Sequence, residues 1–345
     1  MGVERWPLSI DHLQQILISP KDTRAFRRSL LPWYRSNGRD LPWRRTTDPY
    51  AVLVSEFMLQ QTQVATVIPY YNEWLERFPN LDALAHASEN DVLRAWQGLG
   101  YYTRARNLHT AAKKIASENN GKFPQQASEL ESLPGIGRYT ANAIATFAFE
   151  QSVPIVEANI ARLLARIVNS QQPIDSSDGR EVIWQIASLL VPARGARAFN
   201  SALMDLGALV CRPRPKCQIC PVRKFCRATR PETLPRKRPR PQLKKLTESH
   251  LWIRNRGRIL LQQSSGRWRG MWILPPLKAI PATGRAIHRS VFPFTHHEIT
   301  LQVFAQPLRK TDKQKERWID LESINSIPIP SPHLRAIADL LVARN

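Results

Sequence analysis

Four cysteines, at positions 211, 217, 220 and 226, are the only ones in 345 residues. A disulfide framework would spread its cysteines along the chain, so this clustering points to a metal site in a reducing compartment. The spacing is C-x5-C-x2-C-x5-C. Structural zinc usually takes two C-x2-C pairs separated by a longer loop. Here only the middle pair has that spacing, and Pro221 follows it. An all-cysteine 4Fe-4S cluster is the better fit, with zinc as the alternative. Arg212, Arg214, Lys216, Arg223 and Lys224 decorate the same loop and could present positive charge to a phosphate.

Upstream, apolar residues recur at spacings of three and four, as in Leu81, Leu84, Leu93, Trp96 and Leu99. Breakers such as Pro79, Gly98, Gly100, Gly121, Pro124, Pro154, Pro173 and Pro192 interrupt them. The pattern predicts roughly ten short helices between residues 23 and 228, after a loosely ordered arm over 1–22. Residues 229–247 contain RPETLPRKRPRPQLKK, with four prolines and seven basic side chains. Such a stretch builds no core and reads as an extended interdomain linker. Beyond it, strand-like runs flank Asn255-Arg256-Gly257 and HLRAIADLLVAR closes the chain as an amphipathic helix, so 248–345 is expected to be a small α+β domain.

Lys and Arg total 50 against 28 for Asp and Glu, a net charge of +22. That excess fits a polyanionic partner, because each neutralised phosphate releases a counterion. No run of 18 apolar residues occurs, so no membrane span is expected. The N-terminal MGVERWPLSIDHLQQ carries charges where a signal peptide needs an apolar run, so a place inside the cell or an organelle is expected. Nothing points to an oligomer, and a monomer is expected.

LPGIGRYT, residues 133–140, precedes the apolar run ANAIATFAF. Gly135 and Gly137 let the backbone turn tightly at a helix N-terminus with its N–H groups outward, an arrangement that holds a phosphate without reading sequence. A plain helix–helix turn would look the same. With the cysteine loop downstream, however, residues 30–228 resemble the endonuclease III and adenine glycosylase superfamily. The resemblance implies a mainly α, helix-hairpin-helix glycosylase fold, with a six-helix barrel and an iron–sulfur helical domain. It also implies that Cys211, Cys217, Cys220 and Cys226 hold a 4Fe-4S cluster, and that the partner is double-stranded DNA. In that superfamily a Lys just after the hairpin marks strand-nicking enzymes. This chain has Tyr139, which forms no imine, so the nicking branch is disfavoured.

SEFMLQQTQVATVIPYY, residues 55–71, resembles the helix that carries the general acid in adenine glycosylases. Glu56 interrupts an apolar run, a setting that raises a carboxyl pKa and keeps it protonated near neutrality. The structural alternative is a Glu on the polar side of an amphipathic helix. The resemblance implies that Glu56 protonates adenine N7, that Leu59, Gln60 and Gln61 contact DNA, and that Tyr101 in GLGYYTRARNLH wedges against the lesion strand. GRDLPWRR, residues 38–45, resembles the adenine-pocket segment, with Arg39, Leu41, Trp43 and Arg44 as contacts. Tyr139 and Asn159 are expected to support catalytic geometry.

Three departures stand out. The family's second carboxylate is an Asp in V-D-G-N-V; PIVEANIARLLAR, residues 154–166, has Glu157 and Ala158 there and keeps Asn159. Glu157 is expected to stabilise the sugar cation or trap it covalently, although a misplacement of about 1 Å can cost about 100-fold in rate. The first cysteine gap holds five residues instead of six. Ser201 stands where relatives often carry Gln or Glu. In the C-terminal part, GRWRGMWILPP and FPFTHHEITLQVF resemble the Nudix-like domain of adenine glycosylases, whose Phe-Ser-His loop senses 8-oxoguanine. Here the loop reads Phe294-Thr295-His296, and Thr295 keeps the hydroxyl. The glutamate-rich box of magnesium-dependent Nudix hydrolases is missing. The expected activity is removal of adenine opposite 8-oxoguanine or guanine, in a nucleoid, nucleus or organelle. A thymine glycosylase of the same superfamily and a non-catalytic damage sensor are the alternatives.

Overall fold

The computed structural model describes residues 20–118, 121–239, 241–277, 285–309, 311–312 and 314–342. Most of the expected N-terminal arm, residues 1–19, lies outside the described residues. Lys21 and Asp22, which the sequence reading places in the arm, belong to helix α1 (Pro20–Asn37).

Ten further helices lead to residue 205: α2 (Pro49–Leu59), α3 (Val64–Arg77), α4 (Leu81–His86), α5 (Glu89–Ala95), α6 (Thr103–Glu118), α7 (Ala127–Glu131), α8 (Arg138–Phe149), α9 (Ala158–Ile167), α10 (Ser177–Leu190) and α11 (Ala196–Asp205). Polar side chains fix several starts by taking up orphan N–H groups. The side chains of Asn80, Ser88 and Ser176 accept from the amides of Ala83, Asp91 and Gly179. Among the described residues no helix is long and apolar enough to cross a membrane.

The chain packs as two compact units. One holds the described residues up to Glu56 together with Lys122–Pro239, and the other holds the described residues of 57–121 together with those from 241 onward. The first unit buries Phe26, Leu30, Ile160, Leu164, Phe199, Leu203 and Leu206 in one core, which Cys211 and Val222 also enter. Phe26 sits 5.6 Å from the Phe225 ring, tying the cysteine loop to α1.

The basic, proline-rich segment does not hang free of this unit. Leu234 is buried and its carbonyl accepts from Arg166 Nε at 3.0 Å. The Ile174 amide donates to Arg236 O, and the Arg238 amide to the Asp175 carboxylate. One buried leucine and these three hydrogen bonds dock a stretch whose composition reads as spacer. At its far end, residues 244–247 are already strand and not linker.

The second unit has a helical part, where Trp74 packs edge-on against Trp96 at 5.5 Å. Its sheet part has strands β1 (Lys244–Trp252), β2 (Arg254–Asn255), β3 (Arg258–Gln263), β4 (Trp272–Ile273), β5 (His288–Phe294), β6 (His297–Ala305) and β7 (Glu316–Asp320), with helix α12 (Ser331–Val342) behind. One sheet runs β1-β6-β5, with β1 parallel to β6; the other runs β2-β3-β4, with β7 also paired to β3. The hairpin expected at Asn255-Arg256-Gly257 is present, with Asn255 paired to Arg258 and Arg256 at φ 52°. Leu261, Trp272, Leu274, Leu301, Val303 and Ile337 form its core.

Candidate active site and metal centre

Helix α2 is apolar on nearly every face: Tyr50 through Phe57 are all buried, and only Ser55 and Glu56 break the run. Ser55 satisfies its hydroxyl on Val52 O. Glu56, 2% exposed, bonds the Tyr139 hydroxyl, and its Oε2 has no partner. Burial pushes its pKa up to about 7; the Tyr139 bond opposes this, the nearby Glu157 carboxylate adds to it, and the Arg44 charge opposes it.

Tyr139 reaches Glu56 because it lies in the first turn of α8, just after the Leu133–Gly137 turn. The Ile136 amide donates to Leu133 O, Gly135 takes φ 76°, and Gly137 is the N-cap. Only glycine adopts the left-handed region at Gly135 without strain. Gly137 is different: its backbone is extended, and a Cβ there would meet nothing within 4 Å. Neither backbone geometry nor internal packing calls for glycine at 137.

Glu157 caps α9. Its Oε1 accepts from the Ile160 amide at 2.8 Å, and its Oε2 from the Asn159 amide at 2.7 Å and Asn159 Nδ2 at 3.0 Å. Burial raises its pKa and these three donors work against the rise. Asn159 Oδ1 in turn accepts from Arg162, which also donates to Gly207 O and Cys211 O. Gly207 permits this closeness: a Cβ there would stand 2.8 Å from Asn159 Cβ. Glu56, Tyr139, Glu157 and Asn159 therefore form one cluster.

Asp205 is the residue that sequence reasoning missed. Its carboxylate is fully buried and accepts from the Arg39 amide (2.8 Å), Arg39 Nε (2.7 Å), Arg44 Nη1 (2.7 Å) and Arg44 Nη2 (2.9 Å). Burial pushes its pKa up, but the hydrogen bonds and charges of Arg44 and Arg39 outweigh it and hold the carboxyl below its usual range. Both arginines, expected as base contacts, are turned onto Asp205; Leu41 and Trp43 are buried beside them. An acid inside the apolar run SALMDLGALV was the available signal, the same one that marked Glu56. Ser201, one turn earlier on α11, is buried.

In the second unit, the residues expected to enter a duplex are held by Arg104. Its Nη1 donates to the carbonyls of Phe57 (3.1 Å), Met58 (2.8 Å) and Gln60, and its Nη2 to Leu99 (3.0 Å) and Gly100 (3.2 Å). The guanidinium also lies 5.5 Å from the Tyr101 ring. Gln61 and Tyr101, both exposed, take left-handed φ values of 57° and 47°. Leu59 is partly buried at the end of α2. Arg104→Met is expected to destabilise the protein by about 3 kcal/mol, since several buried carbonyls lose their donor at about 1–3 kcal/mol each in the worst case. Thermal unfolding measures this, and a melting point within 2 °C of wild type would contradict it; Arg104→Lys should recover less than half, as one ammonium cannot reach two loops.

Thr295 and His296 are the exposed tip between β5 and β6, flanked by the Phe294–His297 pair. Thr295 sits at φ 51°, where a β-branched residue is strained.

The four cysteines, none in a disulfide, line one cavity of about 400 Å³ in the first unit. Two short 3₁₀ turns, Cys217–Ile219 and Arg223–Phe225, bring them round. Arg166, 1% exposed, braces the loop by donating to the carbonyls of Cys211, Arg212 and Pro213, and to Cys211 Sγ at 3.3 Å. Among the described residues no group of three or more His, Cys, Asp or Glu side chains is closed into metal-binding geometry. The cavity lining contains no carboxylate and no histidine, and Arg166, Lys216 and Arg223 add positive charge. An all-sulfur donor set with cations around it suits a soft, net-negative centre. Burial pushes the bare Cys220 thiol up to about 11 and raises Cys226 as well.

Residues 54–187 match the family described as HhH-GPD superfamily base excision DNA repair protein. An adenine DNA glycosylase from Buchnera aphidicola (subspecies Schizaphis graminum) is 32% identical over 89% of this chain and 96% of its own length. The rat adenine DNA glycosylase is 47% identical over 60% of this chain, and the match spans 42% of the rat protein. Among solved structures, a thermostable thymine-DNA glycosylase aligns with a TM-score of 0.54 at 28% identity, over 60% of this chain and 96% of that one. Endonuclease III in a non-covalent DNA complex aligns at 0.52 with 21% identity, over 61% and 96%, and shares the fold. With a relative matched over nearly its whole length, the chain belongs to the adenine DNA glycosylase family within the HhH-GPD superfamily.

Proposed function

We propose that this protein is a monofunctional glycosylase that hydrolyses the N-glycosidic bond of adenine paired with 8-oxoguanine or guanine in double-stranded DNA. The observation that carries this is Glu56: a buried carboxyl with a pKa near 7, one oxygen on Tyr139 and the other without a partner. A protonated carboxylic acid with a free face is a general acid waiting for a basic atom. Glu56 gives its proton to adenine N7. The C1′–N9 bond then breaks with its electron pair going to the base, leaving an oxocarbenium-like sugar. Water adds at C1′ and its proton returns to Glu56, leaving an abasic site.

Glu157 and Asn159 serve the cationic sugar. Three N–H donors on the Glu157 carboxylate favour its charged form. They also occupy both oxygens, which suits electrostatic stabilisation better than covalent trapping. The longer side chain still works because its carboxylate is fixed by the start of α9. Arg39, Leu41, Trp43 and Arg44 wall the base pocket, with Asp205 setting the two arginines. Gly135 and Gly137 receive a phosphate, for which the open space at Gly137 leaves room. Leu59, Gln60, Gln61 and Tyr101 fill the gap left by the extruded base, whose removal costs a few kcal/mol of stacking. Thr295 and His296 read 8-oxoguanine on the opposite strand. Cys211, Cys217, Cys220 and Cys226 would hold a 4Fe-4S cluster. When bound, that cluster ties four points of the loop together.

Single-turnover assays on duplexes with adenine or thymine opposite 8-oxoguanine or guanine decide the matter. Adenine release, fastest opposite 8-oxoguanine and without strand nicking, is the expected result. No base release from any duplex would overturn the enzyme reading. Release of thymine and not adenine would favour the second reading, a mismatch thymine glycosylase, to which the 28% identical thymine-DNA glycosylase structure lends support.

A further inference from the structure

We propose that a polar cavity between the first turns of α6 and the Gly266–Arg269 turn is a phosphate site, and that its occupant is a backbone phosphate of the duplex. This rests on the glycosylase reading. The cavity measures about 410 Å³, and both walls belong to the second unit. Arg106, Lys113, Arg267 and Arg269 line it, against one carboxylate, Glu89. Arg106 is pinned by Glu89 at 2.9 Å and by Arg269 O, and Arg267 by Glu248 at 2.8 Å. Lys113 and Arg269 are exposed. Thr103, Asn107 and Thr110, one helical face of α6, add hydroxyl and amide donors.

A second observation points to a ligand. His109 lines the same cavity, is 4% exposed, and its Nε2 is buried without a partner. Backbone groups of Ala87 and Ala85 also interact with the ring. Unpartnered buried polar atoms are rare enough to need a reason. Protonated Nε2 would donate to a phosphate oxygen, and the phosphate charge would favour that protonation against burial and the nearby Lys113 charge, which both oppose it.

The position suits a strand backbone. The cavity starts two residues after exposed Tyr101. On its other side Arg267 lies 4.5 Å from the Phe294 ring, next to the Thr295-His296 tip. It thus links the two motifs that a lesion duplex would engage. A polyanion is also the partner that a charge of +22 favours.

The test uses the full chain and a duplex with 2′-fluoro-2′-deoxyadenosine opposite 8-oxoguanine, whose electron-poor sugar resists cleavage. Binding is measured across a salt series for wild type and for Lys113→Gln/Arg269→Gln. The double variant should bind about 10-fold more weakly at low salt, and its log K against log salt slope should be shallower by about 0.9, one lost phosphate contact. An unchanged slope and affinity would overturn the proposal. Inorganic phosphate is titrated in parallel while the His109 ring is followed by NMR. The His109 signals should shift in wild type and stay still in the double variant. A shift with phosphate but no change on the duplex would overturn the duplex assignment in favour of a small phosphate ligand. Wild-type release of adenine tests the glycosylase reading separately: release with an unchanged slope sinks only the phosphate site.

Discussion

Glu56→Gln is expected to slow adenine release by about 10²–10⁴-fold while leaving duplex binding in place, because the amide cannot donate an ionisable proton. Single-turnover rates and anisotropy binding on the same duplex check this, and a wild-type rate would remove Glu56 from the acid role. The wild-type rate itself should fall as pH rises through about 7, where the acid loses its proton. Stability falls in the same direction. The folded state disfavours the charged form, raising the pKa from 4.5 to about 7. That penalty is absent below pH 4.5, grows as pH rises, and is complete above about 7. At 1.36 kcal/mol per unit, the neutral amide should stabilise the protein by up to about 3 kcal/mol above pH 7, and by nothing near pH 4. Melting curves at the two pH values read the difference.

Asp205→Asn is expected to cost about 3–5 kcal/mol, because it leaves two partly buried guanidinium groups beside a neutral amide. It should act on the chemistry as well. The Arg44 charge already opposes the rise of the Glu56 pKa, and Asp205 neutralises much of that charge. Without the aspartate, Arg44 should pull the Glu56 pKa down and move the alkaline limb of the rate profile to lower pH. A variant that melts earlier but keeps the wild-type pH profile would make Asp205 a scaffold residue only.

Much of this site is legible in the sequence because its signals are local. Glu56 stands out as a charge in an apolar run, and the cysteine spacing and the LPGIG turn are short motifs. Glu157 can be placed by its neighbours Val156 and Asn159, but its reach cannot be judged; that depends on α9 starting at Ala158, which puts two amides at the carboxylate. Asp205 and Arg104 are harder because their partners are 161–166 and up to 47 residues away in the chain. Each reads as one charge among many in a very basic sequence. The docked Leu234 is hidden for a different reason: composition describes the average of a segment, and a single buried leucine is enough to fix it. Likewise, the packing of residues 57–121 with the C-terminal part leaves no mark on boundaries drawn from composition.

The strained tip at Thr295 has a bearing on how such a protein changes over generations. Two-residue hairpin tips favour Asn or Gly, and a β-branched residue held left-handed stores about 1–3 kcal/mol. Selection for heat tolerance alone would therefore discard this threonine early, trading its hydroxyl for a relaxed backbone. Under the role proposed for Thr295, a lineage that keeps a hydroxyl-bearing, β-branched side chain there is one in which losing the reader would cost more than carrying the strain. Libraries scored for folding and libraries scored for mutation avoidance should part company at this single position.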